Sequence, residues 1–275
     1  MKRLLLCISL MALLQGCAGV SVTERQQYAA MLIEQAGWQS EVLKTPEFAL
    51  FSARPLKAPG INTATEPLII FIEGDGLAWV SRNRPSLNPT PISPLALELA
   101  LNMKDSGPVA YLARPCQYVK DARCEKRYWT SARFAPEVIR ATDAAIDRLK
   151  ANAQAQQVVL VGYSGGGAVA ALVAARRHDI AKLITLAGNL DTDYWAQLKQ
   201  ITPLYGSLNP ADAWQALASI PQIHYVGAKD TIVPPAVAEA YQKRFPASQQ
   251  PEVQVMEDYD HHCCWHEIEA KELTK

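Results

Sequence analysis

The chain has 275 residues, 49% of them hydrophobic. That length suits one large α/β domain or two small ones, and the apolar content supplies a sizeable core, which excludes wholesale disorder. Lys+Arg and Asp+Glu number 27 each, so the basic excess that marks nucleic-acid binding is missing and no nucleic-acid partner is expected.

Lys2 and Arg3 precede an apolar run over 4–14, too short for an ordinary membrane-spanning helix. Leu14-Gln15-Gly16-Cys17 follows and resembles a bacterial lipobox, in which a small residue precedes the cysteine that is lipidated. The resemblance implies a lipoprotein signal peptide over 1–16, cleavage before Cys17 and a diacylglycerol on its sulfur, with the lipid bilayer as partner. Ala18 rather than Asp comes next; by enterobacteria-like sorting this implies the cell envelope, at the outer membrane facing the periplasm. The plainer alternative is a secretory signal with an incidental cysteine. Residues 17–46 read as the lipidated N-terminus and a tether, with an amphipathic helix over 22–36, and 47–275 as the folded domain.

Within that domain, 48–52 reads as a first strand and 53–67 as a turn-rich connection. The continuous apolar run 68–72 predicts a strand buried on both faces. Four prolines within 79–94 exclude one regular helix there. A helix is expected at 95–103, a strand at 109–113 and a long helix at 136–152. Strands at 158–161, 180–187, 222–226 and 253–256 alternate with helices at 165–177, 234–245 and 265–273. Such alternation predicts an α/β fold, a mostly parallel central sheet covered by helices on both faces.

With Cys7 in the signal and Cys17 lipidated, Cys116, Cys124, Cys263 and Cys264 remain. An even number in an oxidising compartment predicts disulfides. Cys116–Cys124 is favoured, because closing a short polar loop is easy. The alternative joins each of these to one member of the adjacent pair Cys263 and Cys264, whose own bridge requires a strained ring.

Chemistry concentrates at Gly162-Tyr163-Ser164-Gly165-Gly166. A buried strand leads into this Gly-x-Ser-x-Gly and a helix-forming run follows, the context a nucleophile elbow requires. The two outer glycines let strand and helix approach closely, and the helix N-terminus aims free N–H groups at the serine. A serine alcohol needs a base to take its proton, and this arrangement places the acid and then the histidine downstream. Asp230, just past the 222–226 strand and ahead of Pro234, is the candidate acid, with Asp191 and Asp193 as fallback. Three of the five histidines follow the last strand, at 261, 262 and 266. His261 is the candidate base, His262 the alternative, and His266 belongs to the next helix. A metal site using His262 and His266 at i, i+4 is disfavoured, because adjacent ligands in one short segment are hard to aim at a single ion. No metal or cofactor is expected.

From about residue 47 to the end the chain resembles the α/β-hydrolase superfamily. The segments 112–118 (Leu-Ala-Arg-Pro-Cys-Gln-Tyr) and 260–265 (Asp-His-His-Cys-Cys-Trp) look like those of bacterial envelope α/β-hydrolase lipoproteins. The resemblance implies an oxyanion hole built from the N–H of Gly165 and one from the loop after 68–72. There Glu73-Gly74-Asp75-Gly76 stands where His-Gly-x-Gly is usual, so the second donor is Asp75, with Gly76 as alternative. A carboxylate so close to a developing oxyanion is repulsive, so the Asp75 side chain is expected to turn away. The implied activity is a serine esterase- or lipase-like acyl hydrolase, a carboxylic ester hydrolase acting through a Ser-His-Asp triad and a covalent acyl-enzyme on a small acyl ester. A serine peptidase using the same triad, or a catalytically silent hydrolase-fold lipoprotein that binds an envelope partner, are the alternatives. The 188–214 segment is too short for a large cap domain; its Tyr194, Trp195, Tyr205 and Trp214 are candidates for an apolar pocket. Nothing in the residues specifies an oligomeric state.

Overall fold

The computed structural model describes residues 20–56, 66–103, 107–268 and 272–273. The expected signal peptide and Cys17 lie outside the described residues.

In chain order the elements are helix α1 (Val22–Gln35), strands β1 (Trp38–Lys44), β2 (Ala49–Pro55) and β3 (Leu68–Ile72), a short pair β4 (Trp79–Ser81) and β5 (Arg84–Pro85), α2 (Leu95–Asn102) and β6 (Val109–Leu112). Then follow α3 (Pro136–Ala153), β7 (Val158–Tyr163), α4 (Gly165–Ala174), β8 (Ile180–Leu186), α5 (Thr192–Lys199), α6 (Trp214–Leu217), β9 (Gln222–Gly227), α7 (Pro235–Gln242) and β10 (Glu252–Met256). Eight strands form one sheet in the order β1-β2-β6-β3-β7-β8-β9-β10. In this sheet β2 runs antiparallel to both its neighbours, β1 and β6, and every other pairing is parallel. β4 and β5 form a separate antiparallel pair. This is the mostly parallel, two-sided sheet that the alternation predicted, and among the described residues no large cap domain covers it.

The continuous apolar runs of β3 and β7 are central because both their faces are covered. Successive side chains of a strand point to opposite faces. Leu68, Ile70, Ile72 and Leu160 therefore join a core under α3 and α4, while Ile69, Phe71, Val159 and Val161 join a second one under α1, α2 and Trp265. The small residues that open α4, Gly165-Gly166-Gly167-Ala168, let it lie close against β7 and β8.

Several boundaries differ from the sequence reading. The described part of 17–46 is no free tether. Ala29, Ile33 and Trp38 sit in the second core, and 38–44 is an edge strand that the reading overlooked. Its polar alternation hides it, because only Trp38 and Leu43 are buried. Of the helix expected over 265–273, Trp265–Glu267 form a 3-10 turn with Ile268 extended after it and 272–273 are helical, while 269–271 lie outside the described residues. Cys116 and Cys124 are bridged as favoured, and Cys263 is bonded to Cys264 rather than to a loop cysteine.

Candidate active site

Ser164 stands between β7 and α4 with φ 52° and ψ −120°, a left-handed value that an L-residue holds only when its surroundings enforce it. The enforcement is local. A Cβ on Gly162 would lie 2.4 Å from the carbonyl oxygen of Gly166, and one on Gly166 2.3 Å from that of Ile72. Strand, turn and helix close up only because both positions lack a side chain.

Residues far apart in sequence converge here. Ser164 Oγ lies 3.0 Å from His261 Nε2, and His261 Nδ1 lies 2.7 Å from Asp230 Oδ2. A carboxylate only accepts, so Nδ1 carries the proton and donates it, leaving Nε2 free to accept the serine hydroxyl. Asp230, buried after β9, is held by the N–H groups of Ile232 at 2.7 Å and Val233 at 2.8 Å, both donating to Oδ1.

The His261 backbone is clamped as well. Its carbonyl accepts from the Tyr163 hydroxyl at 2.9 Å and from the indole N–H of fully buried Trp265 at 3.1 Å. Asp260 Oδ1 accepts the N–H groups of His262 and Cys263, each at 2.7 Å. His262 faces another way. Its Nδ1 is 3.1 Å from Tyr163 Oη. Tyr163 has one proton and spends it on the His261 carbonyl, so His262 Nδ1–H is the donor in that second contact. Burial and neighbouring His261 hold the His262 pKa below the usual histidine value. His266 goes to Glu98, 3.2 Å away, so the two histidines of the disfavoured metal reading have different partners. The fallback acid Asp191 caps α5, accepting the Tyr194 N–H at 3.1 Å, and pairs with Arg244; Asp193 is exposed.

The β3 loop departs from the expectation in one respect. The Asp75 carboxylate does not turn away: a Cβ on Gly165 would lie 2.1 Å from its Oδ1. Two buried guanidinium groups neutralise it instead, Arg114 at 3.2 Å and Arg133 in a shorter contact. Burial pushes the Asp75 pKa up, but Arg133 and Arg114 outweigh it and hold the acid below its ordinary value. Gln117 Nε2 donates to the Gly74 carbonyl at 2.9 Å and steadies the same loop. The backbone N–H groups of Asp75 and Gly165 have no acceptor among the described residues. Gly76, the alternative donor, has φ 62° and packs so closely on the Pro89 carbonyl that no side chain fits. The sequence reading missed Arg114, Gln117 and Arg133. Arg114 and Gln117 lie in the quoted 112–118 segment, yet nothing local says that they serve Asp75.

Glu73, just before this loop, is almost fully buried. Gly74 N–H donates to its Oε1 at 2.9 Å and the Tyr111 hydroxyl to its Oε2 at 3.2 Å. Burial raises its pKa to about 7, although these donors and the first N–H groups of α2 oppose the rise. The folded chain therefore holds this proton more tightly than the unfolded one, whose carboxyl titrates near 4.5. Stability is lost as pH rises from about 4.5 to about 7 and then levels. Glu73→Gln removes that dependence. Urea denaturation of both proteins from pH 4 to 8 should show the variant gaining on the parent by on the order of 3 kcal/mol across this window.

A cleft of about 1130 Å³ opens over Ser164 and His261, walled by Asp75, Trp79, Trp195 and Ile201. Of the aromatic residues considered for a pocket, Trp195 is in its wall; Tyr205 is exposed and Trp214 packs on Phe245.

The fold and site place this chain among the α/β-hydrolases. Solved structures with the same architecture include Est1E from Butyrivibrio proteoclasticus, 15% identical, with TM-score 0.59 over 86% of this chain and 96% of that one. An alpha-beta serine hydrolase homologue from Coxiella burnetii is 16% identical, with TM-score 0.58 over 86% and 95%. The acylaminoacyl peptidase of Pyrococcus horikoshii, 12% identical, gives 0.57 over 86% of this chain but 40% of its own. No curated protein matches the sequence. The profile of the serine hydrolase (FSH1) family matches residues 109–263, more than half of the chain. The protein belongs to that family and is a serine hydrolase.

Proposed function

We propose that this hydrolase cleaves carboxylic esters through Ser164, His261 and Asp230 and a covalent acyl-enzyme. The observation that carries this reading is the hydrogen-bonded chain from Ser164 Oγ through His261 to Asp230 at the base of an open cleft. His261 Nε2 takes the hydroxyl proton as Ser164 Oγ bonds to the ester carbonyl carbon. Collapse of the tetrahedral intermediate breaks the bond to the alcohol, which leaves with that proton. Water then adds by the same route and releases the acid. Asp230 keeps the imidazole in the required tautomer and stabilises its cation. The N–H groups of Gly165 and Asp75 receive the oxyanion, and the Arg114 and Arg133 contacts remove the repulsion that the Asp75 carboxylate would otherwise exert. Through a lipid on Cys17 the enzyme is held to the envelope, at the outer membrane facing the periplasm.

Treatment with a fluorophosphonate tests the reading directly, because such probes phosphonylate only an activated serine. Mass spectrometry should find the adduct on the peptide carrying Ser164. A folded protein that takes up no probe would instead favour a silent binding protein. If the adduct forms, relative kcat/KM on short esters and on acylated peptides separates esterase from peptidase.

A further inference from the structure

The stretch 77–97 contains no acidic residue. It forms the β4–β5 hairpin and the proline-rich segment after it, on one rim of the cleft. Trp79, Val80, Leu87 and Ile92 are exposed, Leu87 to 85%, and Arg82 and Arg84 are exposed among them. Trp79, Arg82 and Ile92 also face the cleft. Solvent-exposed tryptophan and aliphatic side chains interleaved with arginine suit the boundary between headgroups and acyl chains of an anionic bilayer.

The hairpin is a fixed platform. The Trp129 indole N–H donates to the Ser86 carbonyl at 3.2 Å, Ser86 N–H to that of Ala78 at 2.9 Å and Leu77 N–H to that of Pro89 at 3.1 Å. The start of α1 is tied to the same rim. Arg25, buried, donates from Nε to the Ser21 carbonyl at 3.3 Å and from Nη1 to the carbonyls of Asn88 and Thr90. Glu24, in the facing first turn of α1, turns its carboxylate back onto the Ser21 N–H. Cys17 precedes Ser21 by four residues, a reach of at most about 14 Å. That reach keeps a lipid on Cys17, where it is attached, on the hairpin side of the domain.

We propose that the 79–92 rim is a membrane-docking surface that sets the mouth of the cleft against an anionic bilayer, so that the acyl ester enters from the lipid phase. For its orientation the proposal rests on the lipidation of Cys17, and for its consequence on the esterase reading.

The test uses the full lipidated chain reconstituted in vesicles of phosphatidylethanolamine and phosphatidylglycerol (3:1) containing a brominated phosphatidylcholine, which quenches nearby tryptophan. The wild type should lose an emission component that Trp79→Phe lacks. Equal fractional quenching in the two proteins overturns the proposal. In a second arm, the full chain with Cys17→Ser is sedimented with the same vesicles without bromine. Adding Arg84→Gln and Leu87→Ser should weaken its partitioning by on the order of tenfold, since a surface arginine and an exposed aliphatic side chain that enters the bilayer each contribute to such binding. Unchanged partitioning also overturns it, as does a concentration-dependent dimer abolished by Leu87→Ser, which would make the rim an interface between copies. Failures elsewhere are distinguishable. If fatty-acid labelling in cells is the same in Cys17→Ser as in the wild type, the lipidation reading falls, while the sedimentation arm still tests the rim. If the fluorophosphonate does not react, the esterase reading falls, and the quenching is unaffected.

Discussion

Ser164→Ala is expected to abolish nearly all ester hydrolysis, by several decades in kcat, while leaving the fold intact. Removing the Oγ atom removes the bond-forming group itself, and the rest of the catalytic unit then has nothing to activate. What survives is the fraction of catalysis that the oxyanion donors and the cleft provide by binding alone, on the order of a thousandfold over water in comparable enzymes. Folding is unaffected because alanine adds no volume and Ser164 already holds a conformation imposed by its neighbours, not by its hydroxyl. Steady-state kinetics on a chromogenic short ester, with circular dichroism as the control, measures this. Activity within tenfold of the parent would mean that another serine does the work.

The second large effect separates two adjacent histidines. His261→Ala should approach the severity of Ser164→Ala, since members of a catalytic unit fail together and not additively. His262→Ala should cost far less. The reason is geometric: His261 spans Ser164 and Asp230 at 3.0 and 2.7 Å, whereas His262 contacts the Tyr163 hydroxyl. Loss of that contact leaves the bond from Tyr163 to the His261 carbonyl intact. A reversed ranking in kcat/KM would transfer the base to His262. Near-normal activity in both variants would remove histidine from the mechanism altogether.

The sequence by itself determined the central strands, the position of Ser164 and the order of its partners. β3 and β7 are unbroken apolar runs, and such runs are stable only when covered on both faces. A glycine on each side of Ser164, between strand and helix, leaves few other conformations for that turn. Tertiary structure decided what local pattern does not encode. It brought His261 rather than His262 to Ser164, because the Tyr163 hydroxyl and the Trp265 indole hold the His261 backbone while its ring reaches a serine 97 residues away. It kept the Asp75 carboxylate beside Gly165, because Arg114 and Arg133, 39 and 58 residues further on, bring opposite charge to it. Asp191 became a helix cap, because its carboxylate lies at the start of α5 and beside Arg244. β1 was drawn into the sheet although its sequence is mostly polar, because it pairs with β2 along its whole length while Leu43 and Trp38 anchor it in the two cores. Tyr163 and Ser164 for His261, Arg114 and Arg133 for Asp75, and Arg244 for Asp191 come from distant parts of the chain, and only the folded chain brings them within hydrogen-bonding distance.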